Sequence, residues 1–480
     1  MISRAEQQAA FEAIYKNLNA AQKQAVDNIE GPVMVIAGPG TGKTQILGAR
    51  IGKILLETDT APENILCLTY TDAGAIAMRK RLVSFIGSSA YKVTISTFHS
   101  FCNDIIQDNL SLFDKTSLDP ISELEKIELL KKLIDGFDKN NPLKRYRGDV
   151  YFEMSNLAKL FSAMKKEGWT SQYLIEKIDE YIKEIPFRDE FIYKRKYKQF
   201  EAGSLKEGLV EAEMEKMSKL KAAVNCFDIY QELMKSHNRY DFDDMINWVL
   251  KAFNENKNLL AQYQERYLYI LVDEFQDTSG TQNALIKLLV NYWEQPNLFV
   301  VGDDDQSIFR FQGANVENML HFQQDYAQEV LMIVLENNYR STQPILDAST
   351  IIINNNQERL VNKIEGLEKK LISSHPNLQN NTTLPTIVSY SNPQEEMMDI
   401  TEQITQLIDK GVAPQEIAVL YKENKYGEEI AHFLQQKNIP VYTKRTANLL
   451  DQTLIKQIIT LLDYLNCELD QSYEGAHLLF

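Results

Sequence analysis

Short apolar runs rich in β-branched residues punctuate the chain at Val33–Ile36, Ile65–Leu68, Val93–Ile95, Tyr269–Val272, Leu298–Val301, Leu331–Leu335 and Ile417–Leu420. Their apolarity is continuous rather than alternating, which predicts strands buried on both faces, as in a parallel sheet covered by helices. All but the last run directly into a polar, motif-like segment. Ligands of open α/β sheets bind just beyond the carboxyl ends of the strands, so those segments are expected to converge on one edge. Helical periodicity follows the first run, over Gln45–Leu56. From Phe113 to about Val224 the strand-like runs vanish. Amphipathic stretches at Ile121–Phe137, Val150–Lys166 and Ser171–Ile185 predict a helical insertion there. After Leu335 a second α/β unit is expected, with helices over Pro393–Lys410 and Lys425–Lys437, a strand at Ile417–Leu420, and a loop at Asn377–Thr383.

Composition narrows the class without deciding it. A chain of 480 residues exceeds what one core usually organises, so two to four subdomains are expected. Hydrophobic content of 44% and charged content of 25% fit a soluble globular protein. No apolar run reaches the ~18 residues of a membrane span. Met1–Leu18 mixes polar and charged residues and is not a secretory signal. The four cysteines are scattered without a CxxC pair, which points to reduced thiols in the cytosol, and the six histidines do not cluster as zinc ligands would. A net charge of −16 argues against a nucleic-acid binder, yet a groove can be basic on an acidic protein. Charge therefore neither supports nor excludes DNA.

Two strand-end segments carry chemistry of their own. Ala37-Gly38-Pro39-Gly40-Thr41-Gly42-Lys43-Thr44 lies between the run Pro32–Ile36 and the helical stretch. Strand, glycine-rich loop and helix in that order read as a phosphate-binding loop. Backbone N–H groups and the helix N-terminus cradle phosphates, Lys43 adds a point charge, and the Thr44 hydroxyl binds Mg²⁺. A chance glycine-rich turn is the bland alternative, and the setting weighs against it. Asp273 and Glu274 end another apolar run. A solvated acidic pair is ordinary at an exposed strand end. After a buried strand, Asp273 is placed to hold Mg²⁺ and Glu274 to polarise an attacking water. Together the segments predict nucleotide hydrolysis. Gly302-Asp303-Asp304-Asp305-Gln306-Ser307 follows the next strand; its aspartates suit a helix cap, while the functional reading puts Gln306 beside the γ-phosphate. Beyond it, Phe309 and Phe311 are either core residues or platforms on which bases stack.

Leu18-Asn19-Ala20-Ala21-Gln22, the phosphate loop, Leu68-Thr69-Tyr70-Thr71, Ser96-Thr97-Phe98-His99-Ser100, Asp241-Phe242-Asp243-Asp244, the segments around Asp273 and Gln306, and Glu336-Asn337-Asn338-Tyr339-Arg340-Ser341-Thr342 follow one another along the chain. In that order they resemble superfamily 1 helicases, most nearly the UvrD/Rep/PcrA group. The resemblance implies an α/β fold of the P-loop NTPase type, with RecA-like parallel-sheet domains and an inserted α-helical subdomain. Residues 1–112 with 225–333 would form the first motor domain, 113–224 the helical insertion, and 334–480 an incomplete second motor domain. The implied activity is ATP-dependent helicase or translocase action, 3′ to 5′ on single-stranded DNA and at duplex junctions. ATP and Mg²⁺ would be the cofactors. The setting would be cytoplasmic, with no membrane, and the oligomeric state is left open.

The resemblance also assigns roles. Gly38, Gly40, Thr41 and Gly42 would bind nucleotide together with Lys43 and Thr44. Gln22 would read the adenine edge and Tyr339 would stack on the ring. Arg340 would reach the γ-phosphate and join Lys43, Asp273, Glu274 and Gln306 in catalysis. Tyr70, Phe98, His99, Phe309 and Phe311 would line the single-strand groove. Departures from the pattern matter too. Phe311 stands where the family commonly has tryptophan, and Gln312 replaces the usual arginine. The chain ends at Phe480, before the family's later motifs and a second γ-phosphate arginine. The expectation is a fragment that binds ATP but hydrolyses it poorly. Rival readings are the motor of a helicase–nuclease and a nucleotide-gated DNA-binding module that does not unwind. The basic run Arg188–Phe200 is read as a solvated helix face in preference to a duplex contact.

Overall fold

The structure, a computed structural model, describes residues 4–113, 119–145, 148–196, 200–307, 317–327, 329–443 and 449–470. They divide into compact units at 1–385 and 386–480.

The first unit is built on a parallel sheet. Its strands are β1 (Val33–Ala37), β2 (Ile65–Thr69), β3 (Thr94–Thr97), β4 (Tyr269–Val272), β5 (Leu298–Gly302) and β6 (Leu331–Leu335), in the spatial order β3-β2-β4-β5-β1-β6. These are the first six apolar runs, displaced by no more than a residue or two. Every pairing is parallel, so all six carboxyl ends lie along one edge.

The continuous apolarity of the strands has a direct cause. Val33, Val35, Ile65, Cys67, Leu271 and Val301 pack on one face, while Met34, Ile36, Leu66, Leu68, Ile270 and Val300 pack on the other. With both faces dry, polar alternation has no place. On the first face lie α1 (Arg4–Tyr15), α2 (Ala20–Asp27), α3 (Lys43–Glu57) and α4 (Asp72–Ile86). Arg50 of α3 is buried there, donating to the Ala25 carbonyl at 2.7 Å and stacked over Phe299.

A helical insertion is built of α6 (Glu123–Asp135), α7 (Met154–Glu167), α8 (Ser171–Glu184), α9 (Glu207–Asn225) and α10 (Phe227–Ser236), which share a core of their own around Leu130, Phe161 and Tyr230, so that α10 packs with it beyond the expected limit at residue 224. It lies in sequence between α5 (Phe98–Asp108) and α11 (Phe242–Glu255). Those two, with α12 (Lys257–Arg266), α13 (Gly280–Val290) and α14 (Glu317–Asp325), cover the second face of the sheet. Motif residues double as helix starters. Thr71, Thr97, Asp241 and Ser279 each accept a backbone N–H at the start of the helix that follows. After β6, α15 (Gln343–Ile353) completes the helices of this unit.

The second unit holds α16 (Pro393–Asp409), α17 (Asn424–Gln436) and α18 (Thr453–Asp470), with a small core of Met397, Ile404, Ile430 and Leu434. The strand expected at Ile417–Leu420 is not among its described elements. Ile417 and Val419 turn toward that core while Leu420 is 95% exposed. The alternation is that of a strand, but among the described residues no neighbouring segment supplies the ladder that would make it one. The basic run Arg188–Phe200 also differs from expectation. Where described, it is a tight turn, Asp189–Phe191, leading into a bridge between Ile192 and Leu205 rather than a helix face. Several of its cations are paired locally, Arg188 with Glu184 and Glu190, Lys194 with Asp189, and Lys196 with Glu201.

Candidate active site

Beyond Ala37 the chain turns through the glycines and enters α3 at Lys43. Gly40 and Gly42 have φ of 69° and 92°, a left-handed backbone that side chains resist. A Cβ on Gly40 would also stand 2.6 Å from Cβ of Arg340. Thr41 Oγ1 donates to the Gly38 carbonyl at 2.7 Å and braces the loop from within. Among the described residues no side chain caps the start of α3, which leaves its N-terminus open to an anion.

Lys43 Nζ pairs with Glu274 Oε2 at 2.8 Å, bringing the loop and the acidic segment into one site. Glu274 has φ 49°, a left-handed conformation that costs a residue with a Cβ on the order of 1–3 kcal/mol. Its neighbours hold it there: Glu274 N donates to Asp273 Oδ1 at 3.0 Å, and Gln276 Nε2 donates to Glu274 Oε2 at 3.1 Å. Burial, and then the Glu274 charge, push the Asp273 carboxyl up to about 7. A buried carboxylate with that penalty suits a divalent cation, which would restore its ionised form. Mg²⁺ asks for only one or two carboxylates beside substrate phosphates. Asp273 and the Thr44 hydroxyl fit that requirement.

Gln276, which sequence reasoning passed over, is almost fully buried and connects this segment to the next. Its Oε1 accepts from Asp303 N at 2.9 Å, and Gln306 Nε2 in turn donates to Asp303 Oδ2. The three aspartates form a cluster of cation-binding geometry, but protein cations already fill it. Lys369 Nζ sits 2.8 Å from Asp304 and 2.9 Å from Asp305 and also touches Asp303, while Arg359 grips Asp305 at 2.6 and 2.9 Å. Burial draws the Lys369 pKa down, but the three carboxylates raise it above the ordinary lysine value. The cap reading holds as well, since Asp303 accepts from Asp305 N at 3.1 Å. Lys369 and Arg359 had no sequence signal, because both lie more than fifty positions from the aspartates.

The segment after β6 is stitched onto the phosphate loop. Asn338 Nδ2 donates to the Pro39 carbonyl, and its Oδ1 accepts from the backbone N–H of Arg340 and Ser341 at 2.8 and 2.7 Å. Tyr339 N donates to the Gly40 carbonyl at 2.9 Å. The result is a cavity of about 470 Å³ lined by Gly40, Gly42, Lys43, Thr44, Glu274, Gln306, Tyr339 and Arg340, with Gln45 and Arg81 as further lining that sequence reasoning had not singled out. Gln22 lies beneath the loop, its Nε2 donating to the Thr41 carbonyl at 2.8 Å.

The profile of the UvrD/REP helicase N-terminal domain matches residues 18–327, and that of the UvrD-like helicase C-terminal domain matches residues 333–473. The chain belongs to the UvrD/REP helicase family. It is 30% identical over 457 residues to the ATP-dependent DNA helicase PcrA of Staphylococcus epidermidis, covering 94% of this chain and 54% of that protein. It is 29% identical over 456 residues to PcrA of Staphylococcus aureus, with the same coverage of each chain. YjcD of Bacillus subtilis, itself named only as a candidate ATP-dependent DNA helicase, is 29% identical over 470 residues, covering 96% of this chain and 53% of that protein. The chain thus spans about half the length of the curated relatives it matches.

On this UvrD/REP family member the expected DNA-facing residues separate. Tyr70 at the end of β2 is 40% exposed, and His99 at the start of α5 is partly exposed, 3.7 Å from Asp243. Phe98 must be corrected. Only 2% of it is exposed, and its ring packs in the sheet core with Phe101 and Ile105, so it offers no face to a base. Phe242, in the Asp241–Asp244 motif, had been given no contact; it is 61% exposed, and its ring stands 6.2 Å from that of His99 at 77°. Phe309, Phe311 and Gln312 lie outside the described residues. No helix among the described residues is long and apolar enough to cross a membrane.

Proposed function

We propose that this chain carries the ATP-hydrolysing motor of a DNA helicase and translocase, moving 3′ to 5′ on single-stranded DNA and acting at duplex junctions in the cytoplasm. The observation that carries this reading is the single cavity in which Lys43, Thr44, Glu274, Gln306 and Arg340 meet at the carboxyl edge of the sheet. Lys43 and the open N-terminus of α3 hold the β- and γ-phosphates. Thr44 and Asp273 would hold Mg²⁺, which would supply charge neutralisation for the phosphates. Glu274 releases Lys43 to the phosphates and orients the attacking water. Arg340 stabilises charge on the transferring group, and Gln306 passes its state to Asp303. Gln22 and Tyr339 take the adenine base. Tyr70 and His99 are the DNA-facing groups, joined by Phe242.

Lys43→Ala should abolish ATP hydrolysis stimulated by single-stranded DNA, and unchanged activity in that variant would sink the assignment. Glu274→Gln should bind ATP with near-parental affinity and lose turnover by about 100-fold or more. Normal turnover in Glu274→Gln would remove the water-orienting role.

A further inference from the structure

One side chain bonded to a residue that lines the cavity has no place in that chemistry. Asn19 is the N-cap of α2, its Oδ1 accepting from Gln22 N at 2.9 Å while Gln22 Oε1 accepts from Asn19 N at 3.1 Å. Serine or aspartate would cap as well. The amide nitrogen does something a cap does not require. Asn19 Nδ2 donates to the Tyr339 hydroxyl at 3.0 Å, between residues 320 positions apart, and lies 3.4 Å from Asn337 Oδ1. The neighbours of this contact close a ring. Gln22 Nε2 holds the Thr41 carbonyl at 2.8 Å, and Tyr339 N holds the Gly40 carbonyl at 2.9 Å. Asn19, Gln22, the phosphate loop and Tyr339 are therefore one hydrogen-bonded circuit, with Asn19 as the link between the glutamine and the tyrosine.

We propose that Asn19 is a positioning residue for the nucleotide base, setting the Tyr339 ring at a fixed distance from the Gln22 amide. The inference rests on the reading of Gln22 and Tyr339 as base contacts and adds what makes them act together. A tyrosine anchored only by its backbone retains side-chain freedom that a bound base must remove. Anchoring the hydroxyl removes it beforehand, so less is lost on binding. The Asn19 amide nitrogen bonds Tyr339 and Asn337 and no atom of the phosphate loop, so removing it while keeping the cap should act on the base rather than on the phosphates. A single neutral hydrogen bond sets the scale at about a three- to ten-fold change in affinity.

Asn19→Ser keeps the cap and removes the nitrogen; Tyr339→Phe keeps the ring and removes the hydroxyl. The 480-residue chain is titrated calorimetrically with ATP, GTP and inorganic tripolyphosphate in the presence of Mg²⁺. Each variant should weaken ATP binding about three- to ten-fold, leave tripolyphosphate binding unchanged, and narrow the preference for ATP over GTP. The double variant should lose no more than either single one, since both remove the same bond. Additive losses would overturn the proposal, as would an equal weakening of tripolyphosphate or an unaltered ATP affinity in Asn19→Ser. Tyr339→Ala separates the two layers. If it binds ATP like the parent, the base-contact reading fails and the proposal with it. If it binds ATP weakly while Asn19→Ser does not, only the positioning role fails.

Discussion

Glu274 is the residue on which the site turns. It occupies a left-handed backbone, pairs with Lys43, and accepts from Gln276. Its charge also reaches its acidic neighbours. Asp277 is pushed up to about 6, first by burial and then by Glu274, and its Oδ1 is buried without a hydrogen-bond partner. Between the ordinary carboxylate pKa of about 4 and this raised value, the folded protein holds a proton that the unfolded chain has lost. Stability therefore falls as pH rises through that window, and the deficit is complete above it. Asp277→Asn should raise the melting temperature more at pH 7.5 than at pH 5.5. A gain that is no larger at the higher pH would dismiss this account. Lys43, Thr44, Asp273 and Glu274 were legible in the sequence because each sits within a few residues of a strand end, where local order dictates position. Gln276 stood in plain view in the same motif, but its role as a connector depends on a partner at Asp303. Phe98 failed as a groove residue because sequence position does not say which way a ring turns at the start of a helix.

At the scale of elements, polar contacts tie the helical insertion to the helices that cover the sheet. Lys165, near the end of α7, is buried against Asp241 and Asp244 at 2.7 and 2.9 Å, and these aspartates also form the capping box that starts α11. Its pKa is held above the ordinary value by the two carboxylates despite the opposing pull of burial. Around it, Asn247 Nδ2 donates to the Lys165 carbonyl at 2.9 Å, and Thr281 Oγ1 of α13 donates to the Lys166 carbonyl at 2.7 Å. Breaking a buried pair from one side strands charge without a partner. Lys165→Met should therefore cost about 3–5 kcal/mol in a denaturant titration. A loss below about 1 kcal/mol would show that the junction is held by something else. Of the helices that meet here, α7 was expected from periodicity, while α11 and α13 were not. Nor was the lysine that joins them, because periodicity marks apolar faces and is silent about a buried cation.

At the scale of the whole molecule, an acidic chain is compatible with the polyanion-binding site proposed for it, because electrostatic footprints are local. Single-stranded DNA should accelerate ATP hydrolysis by the 480-residue chain. The stimulation should fall steeply with rising salt, since phosphate contacts release counterions. A hydrolysis rate indifferent to DNA at low salt would contradict the motor reading. Strand positions, helical periods, the phosphate loop and the acidic pair follow from residues that are neighbours along the chain, where backbone geometry and burial leave little choice. The Lys369 and Arg359 contacts with three aspartates, the Asn338 stitch onto the phosphate loop, and the Asn19 contact with Tyr339 join residues dozens to hundreds of positions apart. Such contacts form only when the strands have already stacked and their carboxyl ends share an edge. Ile417–Leu420 shows the same limit from the other side, for an apolar run becomes a strand only when a neighbour completes its ladder.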